Sequence, residues 1–260
     1  MPAKQCTDGS DDTYRTGTAS LHTALSRLGY RVYHFSELVR NGRRDMDLLH
    51  EALVLKHRRD GDKDERQLYG PQEFDKIWGK YDAVGGLPGF AFVDELVAYY
   101  PQAQFIMTDR NVDSWARAMR ATCLVEVGSW SWYFRSWYDS QHASPLRRLI
   151  QAWIHQLCRS DFGDELREAY IDHVQHCLKI IPKEKLLIMR FGQESDWHDL
   201  CDFLGKTVPD MPYPVVDDEL EVLQTQGQTW LPQSRLAFGK AVAFALGAVL
   251  TAASCWLLIE

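Results

Sequence analysis

The 260-residue chain has little of what would tie it to nucleic acid, to a metal or to a disulfide framework. Lys and Arg number 29 against 36 Asp and Glu, a net charge of −7, whereas a nucleic-acid binder ordinarily carries a basic face. The clusters Arg40, Arg43, Arg44 and Lys56, His57, Arg58, Arg59 read as solvated helix ends. Cysteines 6, 123, 158, 177, 201 and 255 form no C-x-x-C pair and keep no ligand spacing with the histidines, so no metal site is expected. Cys123, Cys158 and Cys177 read as small core residues of helices, which suits a reducing compartment. The hydroxyl-rich loop at residues 13–20 lacks the GK[ST] ending of a Walker nucleotide loop. No signal peptide is expected, and no internal repeat is visible.

Residues 1–12, MPAKQCTDGSDD, also lack any apolar run. The next stretch is the informative one. Residues 13–20, TYRTGTAS, make a hydroxyl-rich loop with one glycine and one cation, and a helix follows at once. Leu21, Ala24, Leu25 and Leu28 fall at i, i+3, i+4 and i+7, and Gly29 suits the helix stop. A loop feeding a helix N-terminus binds anions through backbone N–H groups and the positive end of the helix dipole. Gly17 permits close backbone approach, Thr16, Thr18 and Ser20 offer hydroxyls around Ala19, and Arg15 adds charge. An ordinary capped helix start has much the same composition. Such a loop normally leaves the end of a buried strand, which the aspartates at 8, 11 and 12 cannot supply. The missing strand is expected from sequence upstream of Met1 or from an alternative splice junction.

Beyond the loop, strands alternate with helices. Strands are expected at 30–35, 81–85, 104–108 and 186–191. Helices are expected at 45–57, 71–80 (burying Phe74, Ile77 and Trp78), 90–99, 144–157, 161–179 and 195–204, with another capped by Asn111. This order implies a three-layer α/β domain around a parallel sheet, with ligands at the strand C-terminal ends. His34 sits at one such end, where an imidazole suits proton transfer from a hydroxyl or a purely structural hydrogen bond. The aromatic run Trp130, Trp132, Tyr133, Phe134, Trp137, Tyr138 reads as an acceptor pocket, a packed core or a membrane-facing helix. Residues 207–214 read as an extended arm over the sheet. The stretch 241–259, from Ala241 to Ile259, carries no charge and at about 1.5 Å per residue is long enough to span a bilayer. Arg235 and Lys240 precede it, which places the body on the cytosolic side of a membrane not specified by the sequence.

The motifs RTGT with its Ser-Leu helix, YHF at 33–35, YDAV…P at 81–88, ELVAYYPQAQFIMTDR at 95–110 and LCDFLGKTVPDMPYP at 200–214 together resemble fungal-type sulfotransferase-like proteins. The resemblance implies a P-loop-type α/β domain over 13–218, followed by a linker at 219–235 and a membrane anchor at 236–260. It also implies sulfuryl transfer from 3′-phosphoadenosine 5′-phosphosulfate to a small-molecule hydroxyl, without a metal. By the same resemblance Arg15 contacts the phosphosulfate, and Arg110 holds the 3′-phosphate. Three positions depart from the pattern: Ala118 stands where a phosphate-binding serine is usual, Gly86 where an acidic residue is usual, and Asp196 where a glycine usually precedes the tryptophan, here Trp197. Two competing functions follow. One is a catalytically inactive, membrane-anchored interaction protein; the other is a small-molecule kinase, which would need Asp82 or Asp109 to hold Mg²⁺.

Overall fold

The computed structural model describes residues 17–61, 69–120, 130–158, 163–190 and 197–216, with residues 235, 236, 238–240, 242 and 243 beyond them. Helix α1 (Thr18–Arg27) leads to strand β1 (Val32–Tyr33), α2 (Phe35–Asn41), α3 (Arg43–Gly61) and α4 (Pro71–Trp78). Strand β2 (Ala83–Val84), α5 (Leu87–Ala91), α6 (Val93–Tyr99), β3 (Phe105–Asp109) and α7 (Val112–Met119) follow. Then come α8 (Trp130–Tyr138), α9 (Ala143–Cys158), α10 (Asp164–Ile180), β4 (Leu186–Arg190) and α11 (Trp197–Leu204).

This architecture corrects the expected fold class. The described residues are mostly helical, and their strands form two separate parallel pairs rather than one covered sheet. Strand β1 pairs with β2 in the register Val32↔Ala83, and β3 with β4 in the register Phe105↔Leu186. The first pair is short for local reasons. Chain geometry changes after His34, where α2 begins, and at Gly86, whose φ of 67° leaves the extended region. Among the described residues no strand bridges β2 to β3. Strand β3 is accordingly half-buried at all five positions instead of enclosed on both faces. No described helix is long and apolar enough to cross a membrane. Nearly all of the stretch expected to do so, 241–259, lies outside the described residues.

Helices carry the main core. In α9, Leu146, Leu149, Ile150, Trp153 and Ile154 repeat at helical spacing and are buried. They face Met46, Leu49 and Leu53 of α3, also buried. Gln156 Nε2 donates to the Leu53 carbonyl at 2.6 Å, and Arg148 pairs with Asp47 at 2.7 Å, so polar contacts edge the same seam. Lys56 is not a solvated end: its Nζ donates to Glu95 at 2.8 Å and to the Ala91 carbonyl at 2.9 Å, tying α3 to α5 and α6. A second cluster joins Ala24 and Leu25 of α1 to Val32, Met189, Trp197, Leu200 and Cys201. The arm at 207–216 packs there, through Tyr213 on Trp197 and Trp197 Nε1 donating to the Met211 carbonyl at 2.8 Å.

A titratable group is built into this packing. His173 of α10 stacks on Phe90 with ring centroids 3.6 Å apart. Burial, aided by the neighbouring His176, lowers its pKa to about 4. An unfolded imidazole titrates near ~6.5, so between these values the unfolded chain holds a proton that the native state lacks. The native state is therefore disfavoured progressively as pH falls from about 6.5 to about 4, by at most about 1.4 kcal/mol per unit. His173→Phe is expected to flatten that limb of a urea-stability profile. An unchanged slope would count against this placement of the proton.

Candidate functional site

Three chain segments converge on one cavity of about 750 Å³ that runs between the two strand pairs. The first is α1. Gly17 takes φ 75°, the left-handed region that glycine enters without strain, and so starts the helix without a side-chain cap. Thr18, Leu21, His22 and Leu25, one face of α1, line the cavity. The positive end of the helix dipole thus lies at its wall. Ala19 is buried away from it, and Ser20 is engaged elsewhere: its Oγ accepts from the Val216 N–H at 2.9 Å and donates to the Val216 carbonyl at 3.3 Å. Arg15 and Thr16 lie outside the described residues.

The second segment is the end of β1. His34 is buried yet lines the cavity, and its carbonyl accepts from the N–H groups of Glu37 and Leu38 at the start of α2. The preceding residue fixes it. Tyr33 is fully buried, and its hydroxyl donates to Asp45 at 3.1 Å. Asp45 is itself fully buried and also accepts from Asn41 at 2.7 Å and Arg44 at 3.1 Å, which satisfies its charge. Burial and the Asp45 carboxylate together push the Tyr33 hydroxyl well above the ordinary phenol range. His22 stacks on His34, centroids 4.9 Å apart and planes 13° from parallel, with Glu37 3.9 Å from its Nε2. Opposite stand Gly85 and Gly86; a Cβ at Gly86 would lie 3.5 Å from His34 Cδ2.

The third segment is the end of β3. Arg110 lines the cavity and its Nη2 donates to Ser114 Oγ at 3.2 Å. Asn111 caps α7, as its sequence position suggests, by accepting from the N–H groups of Asp113 and Ser114. Tyr170 of α10 donates to the Arg110 carbonyl at 3.3 Å and holds this turn in place. Ala118 is buried two turns further along α7 and faces the same cavity.

The structure therefore brings Thr18, His34 and Arg110 to one space and turns Ala19 and Ser20 away from it. Sequence reasoning missed His22 and Ser114. Both were within reach of it: His22 sits one turn after Thr18 on the same face, and Ser114 one turn after Arg110. The walls are largely apolar and include the aromatic rings of Phe35, Tyr81, Phe90, Trp115 and Trp153. Of the aromatic run at 130–138 only Trp132 reaches the cavity. Asp82 is held by Arg31, which donates from Nε at 3.0 Å and Nη2 at 3.1 Å. Those hydrogen bonds hold its carboxyl down to about 2. Among the described residues no cluster of His, Cys, Asp and Glu is arranged to hold a metal ion.

Comparison with known proteins gives two findings. A family model described as a sulfotransferase domain matches residues 13–222. The "Ava biosynthesis cluster protein M" of Aspergillus versicolor is 31% identical over 207 residues, which covers 77% of this chain and 76% of that protein.

Proposed function

The chain belongs to the sulfotransferase family, and from that membership we propose that it transfers a sulfuryl group from 3′-phosphoadenosine 5′-phosphosulfate to a hydroxyl of a small molecule. The observation that carries this reading is the convergence of Thr18, His34 and Arg110 on one cavity. The donor set suits the co-substrate. A helix N-terminus and the Arg110–Ser114 pair are complementary to phosphate groups, and Asp82, the nearby acid, is already paired with Arg31.

In the proposed reaction, His34 accepts the proton of the acceptor hydroxyl as its oxygen bonds to sulfur. The bond between sulfur and the bridging oxygen of the 5′-phosphate breaks, and the departing bisphosphate keeps the electron pair. Positive charge from the helix N-terminus and from Arg15 offsets the charge that develops on that phosphate. The apolar walls exclude water and favour an acceptor with an apolar body.

Binding of adenosine 3′,5′-bisphosphate tests the donor half. The ligand should raise the melting temperature by mass action. Arg110→Ala should weaken its Kd by about tenfold to a hundredfold, the worth of one or two charge-assisted hydrogen bonds. Ala118→Ser, which adds a hydroxyl on the same side of α7, should strengthen it. No shift at millimolar ligand with a folded sample would instead favour the non-catalytic reading.

A further inference from the structure

Helix α8 turns its apolar side outward. Trp130, Tyr133, Phe134 and Trp137 stand at i, i+3, i+4 and i+7 and are 78%, 53%, 59% and 87% exposed. Trp132, on the other side, is buried in the core and lines the cavity. A surface helix of a globular protein ordinarily shows the reverse arrangement. The helical residues near the C-terminus continue the patch: Phe238 packs edge-on to Tyr138 at 5.3 Å, and Leu236, Phe238 and Val242 are exposed. Contiguous apolar surface of this kind marks a docking face.

We infer that this face docks on the surface of a bilayer containing anionic lipid. Composition is the first reason. Tryptophan and tyrosine carry an apolar ring with a polar edge, and such rings settle at the boundary between headgroups and acyl chains. Charge is the second. Arg135 on α8 and Arg235 and Lys240 beside it are cations, and Arg147 of α9 lies over the Tyr133 ring at 5.0 Å. The nearest carboxylate in sequence, Asp139, is buried and accepts from the N–H groups of Gln141 and His142. In a chain of net charge −7 this rim is locally basic, and each such cation is drawn to anionic headgroups. A second copy on the same face would instead gather the like charges of Arg135, Arg235 and Lys240 from both copies into one interface. Docking on lipid also leaves one layer, Trp132, between the bilayer side of α8 and the cavity.

Flotation of the full chain with vesicles of phosphatidylcholine, with or without phosphatidylserine, tests the inference. The comparison is the triple variant Trp130→Ser, Phe134→Ser, Trp137→Ser, whose replaced side chains are exposed; its melting temperature checks the fold. The wild type should float with the phosphatidylserine vesicles, less so as salt rises, and its tryptophan emission should shift to the blue. The variant should bind at least about tenfold more weakly, about 1.4 kcal/mol. If the triple variant melts early, Trp137→Ser, at the most exposed position, makes the same comparison. Wild type and variant whose flotation depends equally on phosphatidylserine and on salt, or no flotation of the wild type, would overturn the inference. So would a dimer in sedimentation equilibrium that the variant converts to monomer, which would assign the face to a second copy.

Discussion

Replacing His34 with glutamine is expected to lower kcat for sulfuryl transfer by about 10²- to 10⁴-fold, the usual worth of a positioned general base. The Kd for adenosine 3′,5′-bisphosphate should change little, because the groups proposed to hold phosphate lie on α1 and after β3. The geometry behind this is specific. His34 ends β1, and Tyr33 anchors that end through the buried Asp45. His22 stacks on one face of the imidazole, and Gly85 and Gly86 leave room beside it. A proton acceptor held this way loses no rotamer freedom when substrate arrives. Single-turnover rates with saturating donor, measured beside Kd by calorimetry, separate the two possibilities. An equal loss of kcat and of affinity would make His34 a structural residue. Retention of kcat would place the proton acceptor elsewhere.

Much of the helical part of this molecule is legible in the sequence. The Gly-Pro start of α4 and the spacing of Phe74, Ile77 and Trp78 predict both the helix and its buried face, as found. The cap at Asn111 and the apolar stripe of α9 are equally readable, since they depend on neighbours a turn apart. The sheet is where local reading stops. The stretch 30–35 suggests one strand, yet the chain leaves β geometry directly after the extended His34, because Phe35 and Ser36 begin a helix that Gly42 closes with φ 71°. The apolar run of β3 suggests enclosure, but whether a strand is covered depends on what lies beside it, and here that is the cavity. For the site, the strand-end positions of His34 and Arg110 were foreseeable from topology alone. The engagement of Ser20 with Val216 was not, because it joins residues 196 positions apart. The aromatic run at 130–138 left three readings open, and only burial divides it into one inward ring, Trp132, and an outward stripe.

Phe74→Ala is expected to destabilise the fold by about 3–5 kcal/mol, the usual cost of removing a fully buried phenyl ring and leaving its cavity. Phe74 is at the centre of an aromatic cluster, not at its edge. Its ring stacks on Trp78 at 4.8 Å and meets Tyr69 at 5.1 Å and Phe92 at 5.2 Å edge-on. Tyr99 lies at 6.2 Å. The cluster therefore joins α4 to α6 and to the chain before each, and Trp78, packed against it, also lines the cavity. Aromatic pairs add about 0.5–1.5 kcal/mol each beyond burial, although the neighbours partly relax into the void. Domains are ordinarily stable by only about 5–15 kcal/mol, so this one change consumes a large part of the margin. Phe74→Leu keeps most of the volume and should cost less than half as much. Urea unfolding of the two variants against wild type measures the difference. A loss below about 1 kcal/mol for Phe74→Ala, outside the range for buried phenylalanine, would mean that α4 is not packed as described, and that Trp78 is not fixed as a wall of the cavity.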